Sequence, residues 1–138
     1  KDGQARKFTF ELGVKSVITG PSYGAAKVQR GLQTITGVAW SGAGKISKVE
    51  VSADGGGSWA ECVLHGASLP KAMTRFSIAW DWDGRPSILM SRATDETGAV
   101  QPTRAVWYEP YAAGQLYHQN SIHSWAVDQN GEVSNVYA

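Results

Sequence analysis

Cysteine occurs once in the 138 residues, as Cys62, which excludes an internal disulfide framework and a cysteine-rich zinc site. Charge is scarce and balanced: Lys plus Arg number 13 and Asp plus Glu 12, for a net charge of +1. The charged fraction, 18%, is below the ~25% typical of soluble domains. No basic face or stripe marks a nucleic-acid partner. No apolar run approaches the ~18 residues that a bilayer-spanning helix needs, so no membrane partner is expected. The opening residues carry no charged-then-apolar leader pattern, and the chain starts with Lys1 rather than Met, as a processed chain or a piece of a longer one does. A sustained 3.6-residue apolar period is missing too, so no long helix is expected.

What is present fits one domain of β-structure. Sixteen Gly and five Pro separate short alternating runs, and six Trp with five Tyr supply large apolar surface. Gln33–Trp40 and Ile46–Ala53 read as strands, the second with Val49 and Val51 on one face and Lys48, Glu50 and Ser52 on the other. Ser58–Leu64 follows, then Arg75–Trp82 with Phe76, Ile78, Trp80 and Trp82 on a common face. Pro86–Thr94, Ser121–Asp128 and Glu132–Tyr137 complete the set. Between them stand Gly42-Ala43-Gly44, Asp54-Gly55-Gly56-Gly57, Asp83-Gly84, Glu96-Thr97-Gly98 and Asn130-Gly131. Asn and Gly accept the positive φ of tight hairpins at little steric cost. About seven strands at this spacing predict an all-β, Greek-key sandwich. Residues 1–14 read as a lead-in and 15–138 as the domain. Tyr108–Gly114, carrying Pro110, reads as a loop. Its flanking aromatics Trp107, Tyr108, Tyr111 and Tyr117 offer a contact surface or cap one end of the sandwich.

Most strings that suggest chemistry fail on context. Gly20-Pro21-Ser22-Tyr23-Gly24 fits a nucleophile elbow, but a proline precedes the serine and no helical period follows, so a loop is expected. His118 and His123 are five residues apart, on opposite faces of one strand and not around one metal. Cys62 has no basic cluster to lower its pKa, and a small buried side chain is the reading. Asp81-Trp82-Asp83-Gly84 lacks the later oxygen ligands of a calcium loop and reads as a hairpin turn. Ser52-Ala53-Asp54-Gly55-Gly56-Gly57-Ser58-Trp59 fits S-x-D-x-G-x-x-W, which looks like the Asp-box hairpin of sialidase propellers. One copy cannot make a propeller, so the string marks a hairpin and not a glycosidase. No catalytic or metal-ligating residue is assigned.

Four segments together resemble one family. They are Lys15-Ser16-Val17-Ile18-Thr19-Gly20-Pro21; Gly37-Val38-Ala39-Trp40-Ser41-Gly42 running through Val49–Ser52 to Asp54–Trp59; Ser91-Arg92-Ala93-Thr94-Asp95-Glu96-Thr97-Gly98 with Gln101-Pro102; and Tyr117-His118-Gln119-Asn120 with Ile122 and Trp125. In order and spacing they resemble the C-terminal dimerisation domain of sulfite-oxidase-family molybdenum enzymes. The closing Y-H-x-N-x-I-x-x-W is most similar to the sulfane dehydrogenase branch of that family.

The resemblance implies an immunoglobulin-like sandwich that forms a homodimer. It implies that the molybdenum-pterin cofactor belongs to a preceding domain, with none held by these residues. It further implies a periplasmic setting, a c-type cytochrome as electron acceptor and a sulfur-carrier protein as partner. Relatives that oxidise free sulfite place an arginine from this domain at the substrate anion, but here no arginine follows Arg104. The comparable stretch, His118-Gln119-Asn120, makes His118 and Asn120 candidates for the rim of a substrate cleft. Trp107, Tyr108, Tyr111 and the exposed face of Arg75–Trp82 are the candidate dimer surface. A rival reading is an extracellular immunoglobulin- or fibronectin-like adhesion module, since a sandwich alone does not select a function.

Overall fold

A computed structural model describes residues 12–111 and 119–137, with 108–111 in backbone only. Nine strands and one short helix lie among them. Lys15–Gly20 (β1), Gly31–Trp40 (β2), Thr74–Trp82 (β6) and Val63–His65 (β5) form one antiparallel sheet in the order β1-β2-β6-β5. The other sheet runs β4-β3-β7-β8-β9, from Ala60–Glu61 (β4), Ile46–Ser52 (β3), Ser87–Asp95 (β7), Ser124–Val127 (β8) and Val133–Val136 (β9). The chain crosses between the sheets after β2, β4 and β6, as in an immunoglobulin-like sandwich. The sheets are called the β2–β6 sheet and the β3–β7 sheet below.

Alternation buries one face of each sheet. Ile35, Ala39, Phe76 and Trp82 from one sheet meet Val49, Val51, Leu89, Ala93 and Val127 from the other. Gly37 is required for the closest approach, because a Cβ there would lie 2.2 Å from Phe76 Cζ and 2.4 Å from the Val17 carbonyl oxygen.

Four local expectations are corrected. Ser58–Leu64 is not one strand: β4 pairs with β3 and β5 pairs with β6, so the chain changes sheets at Cys62. Burying Cys62 between the layers forces that switch, and its N–H is kept satisfied by the Val49 carbonyl at 2.8 Å. Asp83-Gly84 is no hairpin either, since β6 and β7 belong to different sheets. There the Trp82 indole N–H donates to the Arg85 carbonyl at 2.8 Å, while the Asp83 carboxylate accepts the Arg85 N–H at 2.9 Å. The supposed loop at Tyr108–Gly114 overlaps an α-helix, Arg104–Tyr111 (α1). Thr103 starts it, accepting the Val106 N–H on its hydroxyl at 3.3 Å and the Trp107 N–H on its carbonyl at 2.9 Å. Two turns are too short to show a period in the sequence. Finally, His123 precedes β8 instead of lying within a strand.

The glycine-rich hairpin between β3 and β4 is built as its sequence requires. Asp54 accepts the Ser58 N–H at 2.8 Å and the Ser58 and Ser52 hydroxyls at 2.7 Å each. Gly55 and Gly56 take φ of 70° and 97°. These bonds hold the Asp54 carboxyl at about 2.

Candidate functional site

Three of the four segments that carry the resemblance converge on one buried amide. Gln101, which is 2% exposed, accepts the Ser16 N–H at 3.0 Å, the Ser16 hydroxyl at 2.7 Å and the Ala93 N–H at 3.3 Å on its Oε1. Its Nε2 donates to the Ser121 carbonyl at 3.2 Å. The Ser16 and Ser91 hydroxyls lie 2.8 Å apart, and the Ile122 N–H reaches the Pro102 carbonyl at 2.9 Å. The Trp125 indole N–H donates to the Ile18 carbonyl at 3.2 Å. Such a network is costly unless complete, and here it ties β1, β7 and the 119–125 segment together. Nothing in the sequence reading singled out Gln101. Its place in the Gln101-Pro102 pair, after a run of alternating residues, was the available signal.

A second buried polar centre, also missed, is Asp95. Burial pushes its carboxyl up, but bonds from Thr97, Ser41 and Ala99 outweigh that and hold it below the ordinary value. Ser41 donates at 2.7 Å across the sandwich, and the Thr97 hydroxyl at 2.6 Å.

Among the predicted site residues, Asn120 is half-buried and donates to the Val14 carbonyl at 3.2 Å. Its amide lies so close to Gly13 that a Cβ there would meet Nδ2 at 2.5 Å. Asn120 therefore clamps the chain just before β1. His118 and the side chains of Tyr108 and Tyr111 lie outside the described residues. Trp107 is 7% exposed, buried by its own chain. Ser22 sits in a turn whose carbonyl accepts the Ala25 N–H at 3.2 Å.

Beside Asn120 opens a cleft of about 160 Å³, lined in part by Lys15, Gln119, His123, Ser124, Arg104 and Tyr137. The Lys15 ammonium donates to the Gln119 carbonyl at 2.6 Å, and the Arg104 guanidinium lies 4.0 Å over the Tyr137 ring. His123 packs edge-on to Trp125 at 4.9 Å.

The two outer faces differ. On the β3–β7 sheet, Glu50 takes the Arg92 guanidinium at 3.0 Å and the Lys48 ammonium at 3.6 Å. Arg92 also covers the Trp59 ring at 4.1 Å. On the β2–β6 sheet, Thr34 pairs with Ala79 and Thr36 with Ser77, with Leu32 76% exposed and Val63 63% exposed at their margins.

A metal centre does not fit these residues. Metal ligation needs the thiolate, and burial first, then Glu50 and Glu61, push the Cys62 thiol up to about 12. No group of three or more His, Cys, Asp or Glu is placed to hold a metal among the described residues.

Two packed antiparallel sheets, one with a charge-paired outer face and the other with charge only at the ends of its outer face, Arg75 and Asp81, define an immunoglobulin-like sandwich. The chain belongs to the Mo-co oxidoreductase dimerisation domain family, whose sequence profile matches residues 6–125. It is 36% identical over 116 residues to NADH nitrate reductase 1 of Oryza sativa subsp. japonica, covering 70% of this chain and 12% of that protein. It is 36% identical over 102 residues to mitochondrial sulfite oxidase of Mus musculus, covering 67% and 18%. Among solved structures it superposes on the sulfane dehydrogenase SoxCD from Paracoccus pantotrophus with a TM-score of 0.93 and 46% identity. That match covers 99% of this chain and 36% of the SoxCD chain. The chain thus spans between about a tenth and two fifths of these proteins. All three are redox enzymes, and the adhesion-module alternative finds no support among them.

Proposed function

We propose that this domain joins two copies of a molybdenum-dependent sulfur dehydrogenase through the outer face of the β2–β6 sheet. The observation that carries the choice of face is its chemistry: Thr34, Thr36, Ser77 and Ala79 occupy its middle with no charge to desolvate. A twofold contact needs one self-complementary patch, and the uncharged middle of this four-stranded face, with exposed Arg75 and Asp81 at its two ends, supplies it. The opposite face has its charges already matched by Lys48, Glu50 and Arg92.

The parent enzyme's substrate is proposed to be sulfane sulfur, supported by the 46% identity to sulfane dehydrogenase against 36% to the nitrate reductase and sulfite oxidase relatives. On the strength of the Tyr117–Trp125 resemblance, the same reading takes that sulfur to ride on a carrier protein, the electron acceptor to be a c-type cytochrome and the compartment to be the periplasm. In it, Asn120 serves the rim of the substrate cleft by fixing the segment beside the point where the chain enters β1, and His118 is the second residue proposed for that role.

Sedimentation equilibrium of the 138-residue chain from about 1 to 100 μM tests the assembly role. A concentration-dependent dimer is expected. A clean monomer throughout would remove the claim that these residues suffice for assembly.

A further inference from the structure

Along β6, the outward charges stand at the two ends of the strand and have opposite signs. Outward positions run Arg75, Ser77, Ala79 and Asp81 on β6, and Leu32, Thr34, Thr36 and Val38 on β2. Arg75 and Asp81 are exposed, and neither enters an ion pair among the described residues. At ~3.4 Å per residue they lie about 20 Å apart. That is more than about two Debye lengths at physiological ionic strength, so they do not neutralise each other within one chain. His65 and Lys15 also stand at the Arg75 end, which makes that end the basic one.

The midpoint between the two charges is Ile78, which pairs in register with Ile35. Thr34 with Ala79 flanks that pair on one side, and Thr36 with Ser77 on the other. Beyond them come Leu32 with Asp81 at one end and Val38 with Arg75 at the other. The face therefore has small side chains on both sides of its centre, an aliphatic residue at each end of β2 and opposite charges at the ends of β6.

Two sheets packed face to face are related by a twofold axis in the plane between them, running along the strands or across them. An axis along the strands sets each end of the face on the same end of the partner, basic end on basic end. An axis across the strands, above the Ile35–Ile78 pair, sets each end on the opposite one. Arg75 then meets the partner's Asp81, and Asp81 meets the partner's Arg75. The same rotation lays Leu32, which is 76% exposed, on the partner's Val38. Stacked sheets lie ~10 Å apart, a gap that an extended Arg and an Asp span together. Like charges brought together oppose association, so only the second arrangement is complementary.

We propose that a second copy docks with its β2–β6 sheet antiparallel to the first, and that two Arg75–Asp81 ion pairs between the copies fix this orientation. The proposal rests on the assignment of this face as the dimer contact and adds the geometry and the residues that select it.

The test is sedimentation equilibrium of the 138-residue chain and its charge variants, with circular dichroism to confirm folding. Arg75→Glu and Asp81→Lys should each weaken the dimer about thirtyfold, since each turns two attractive pairs into two repulsive ones. The double variant exchanges the signs and restores both pairs, so its dimer should return to within about threefold of the parent. Arg75→Gln should weaken the dimer about fivefold. Tightening by Arg75→Gln would mean that like ends meet and would overturn the orientation. A double variant weaker than either single would overturn the pairing. Thr34→Arg separates the pairing from the face. A dimer lost in Thr34→Arg but unmoved by Arg75→Glu and Asp81→Lys would keep the face and overturn the ion pairs. A dimer unmoved by all three would overturn face and pairs together, as would a parent chain that stays monomeric to about 100 μM.

Discussion

The two outer faces of this sandwich are made from strands of similar length and are chemically opposed. The face of the β3–β7 sheet closes on itself: Glu50 lies between Lys48 and Arg92, Arg92 covers Trp59, and the Asp54 hairpin folds at its edge. The face of the β2–β6 sheet offers hydroxyls, an alanine and exposed Leu32 and Val63 in its middle, with His65 bonded to the Ser77 hydroxyl and the charges of Arg75 and Asp81 standing at its ends. Desolvating a matched ion network gains little and can cost several kcal/mol, whereas covering small uncharged side chains costs little. On the proposed reading, the face with the uncharged middle meets a second copy and the charge-paired face meets water. Charge placement, rather than the number of aromatics, separates them. The aromatic Trp107, attractive as a contact residue in sequence, is buried by its own chain.

Substitutions can break or sharpen that contrast. The largest stability effect is expected at Gly37, beneath the open face. Gly37→Ala drives a Cβ into Phe76 and the Val17 carbonyl and should cost about 3 kcal/mol in chemical denaturation, an overpacking penalty that shifts β1 against β2. Asp95→Asn should cost about 2 kcal/mol, because the hydroxyls and N–H groups aimed at the carboxylate lose an acceptor. The same residue gives a pH dependence. Its folded pKa is depressed, so its contribution is complete above the ordinary value of ~3.9 and is lost as pH falls through the lower folded value. Melting temperature should decline from pH 5 to pH 2, less steeply in Asp95→Asn than in the parent chain; equal slopes would show that Asp95 does not drive the decline. Arg92→Met, on the closed face, should cost about 1 kcal/mol, since a half-exposed ion pair and one ring contact are lost. Lys48→Met should change stability by less than about 0.5 kcal/mol. Neither of these last two should alter self-association.

How much of this was legible in the sequence follows from the range of the interactions. Alternation and turn residues are local, so β2, β3, β6 and β7 and the Asp54 hairpin could be read directly. The sheet change at Cys62 could not, because which sheet a two- or three-residue strand joins depends on partners at the far end of the chain. β1 was not legible as a strand, since Lys15–Gly20 alternates too weakly to announce one. Helix α1 escaped because two capped turns carry no period. Of the site, Lys15, Gln119 and Asn120 were in view as parts of quoted segments, but Arg104, Ser124 and Tyr137 were not. Their meeting depends on α1, β8 and β9 closing around the end of β1. Gln101 and Asp95 show the same limit: a buried polar hub is defined by what surrounds it, and partners such as Ser16 and Ser41 lie far away in the chain.

The most direct test compares one charge on each face. Thr34→Arg and Arg92→Glu are to be followed by sedimentation equilibrium beside the parent chain, with circular dichroism to confirm that both fold. The account predicts that Arg92→Glu dimerises as the parent does, while Thr34→Arg weakens the dimer at least about 100-fold, the cost of burying two facing like charges. A dimer that survives Thr34→Arg and is lost in Arg92→Glu would contradict it and move the interface to the opposite sheet.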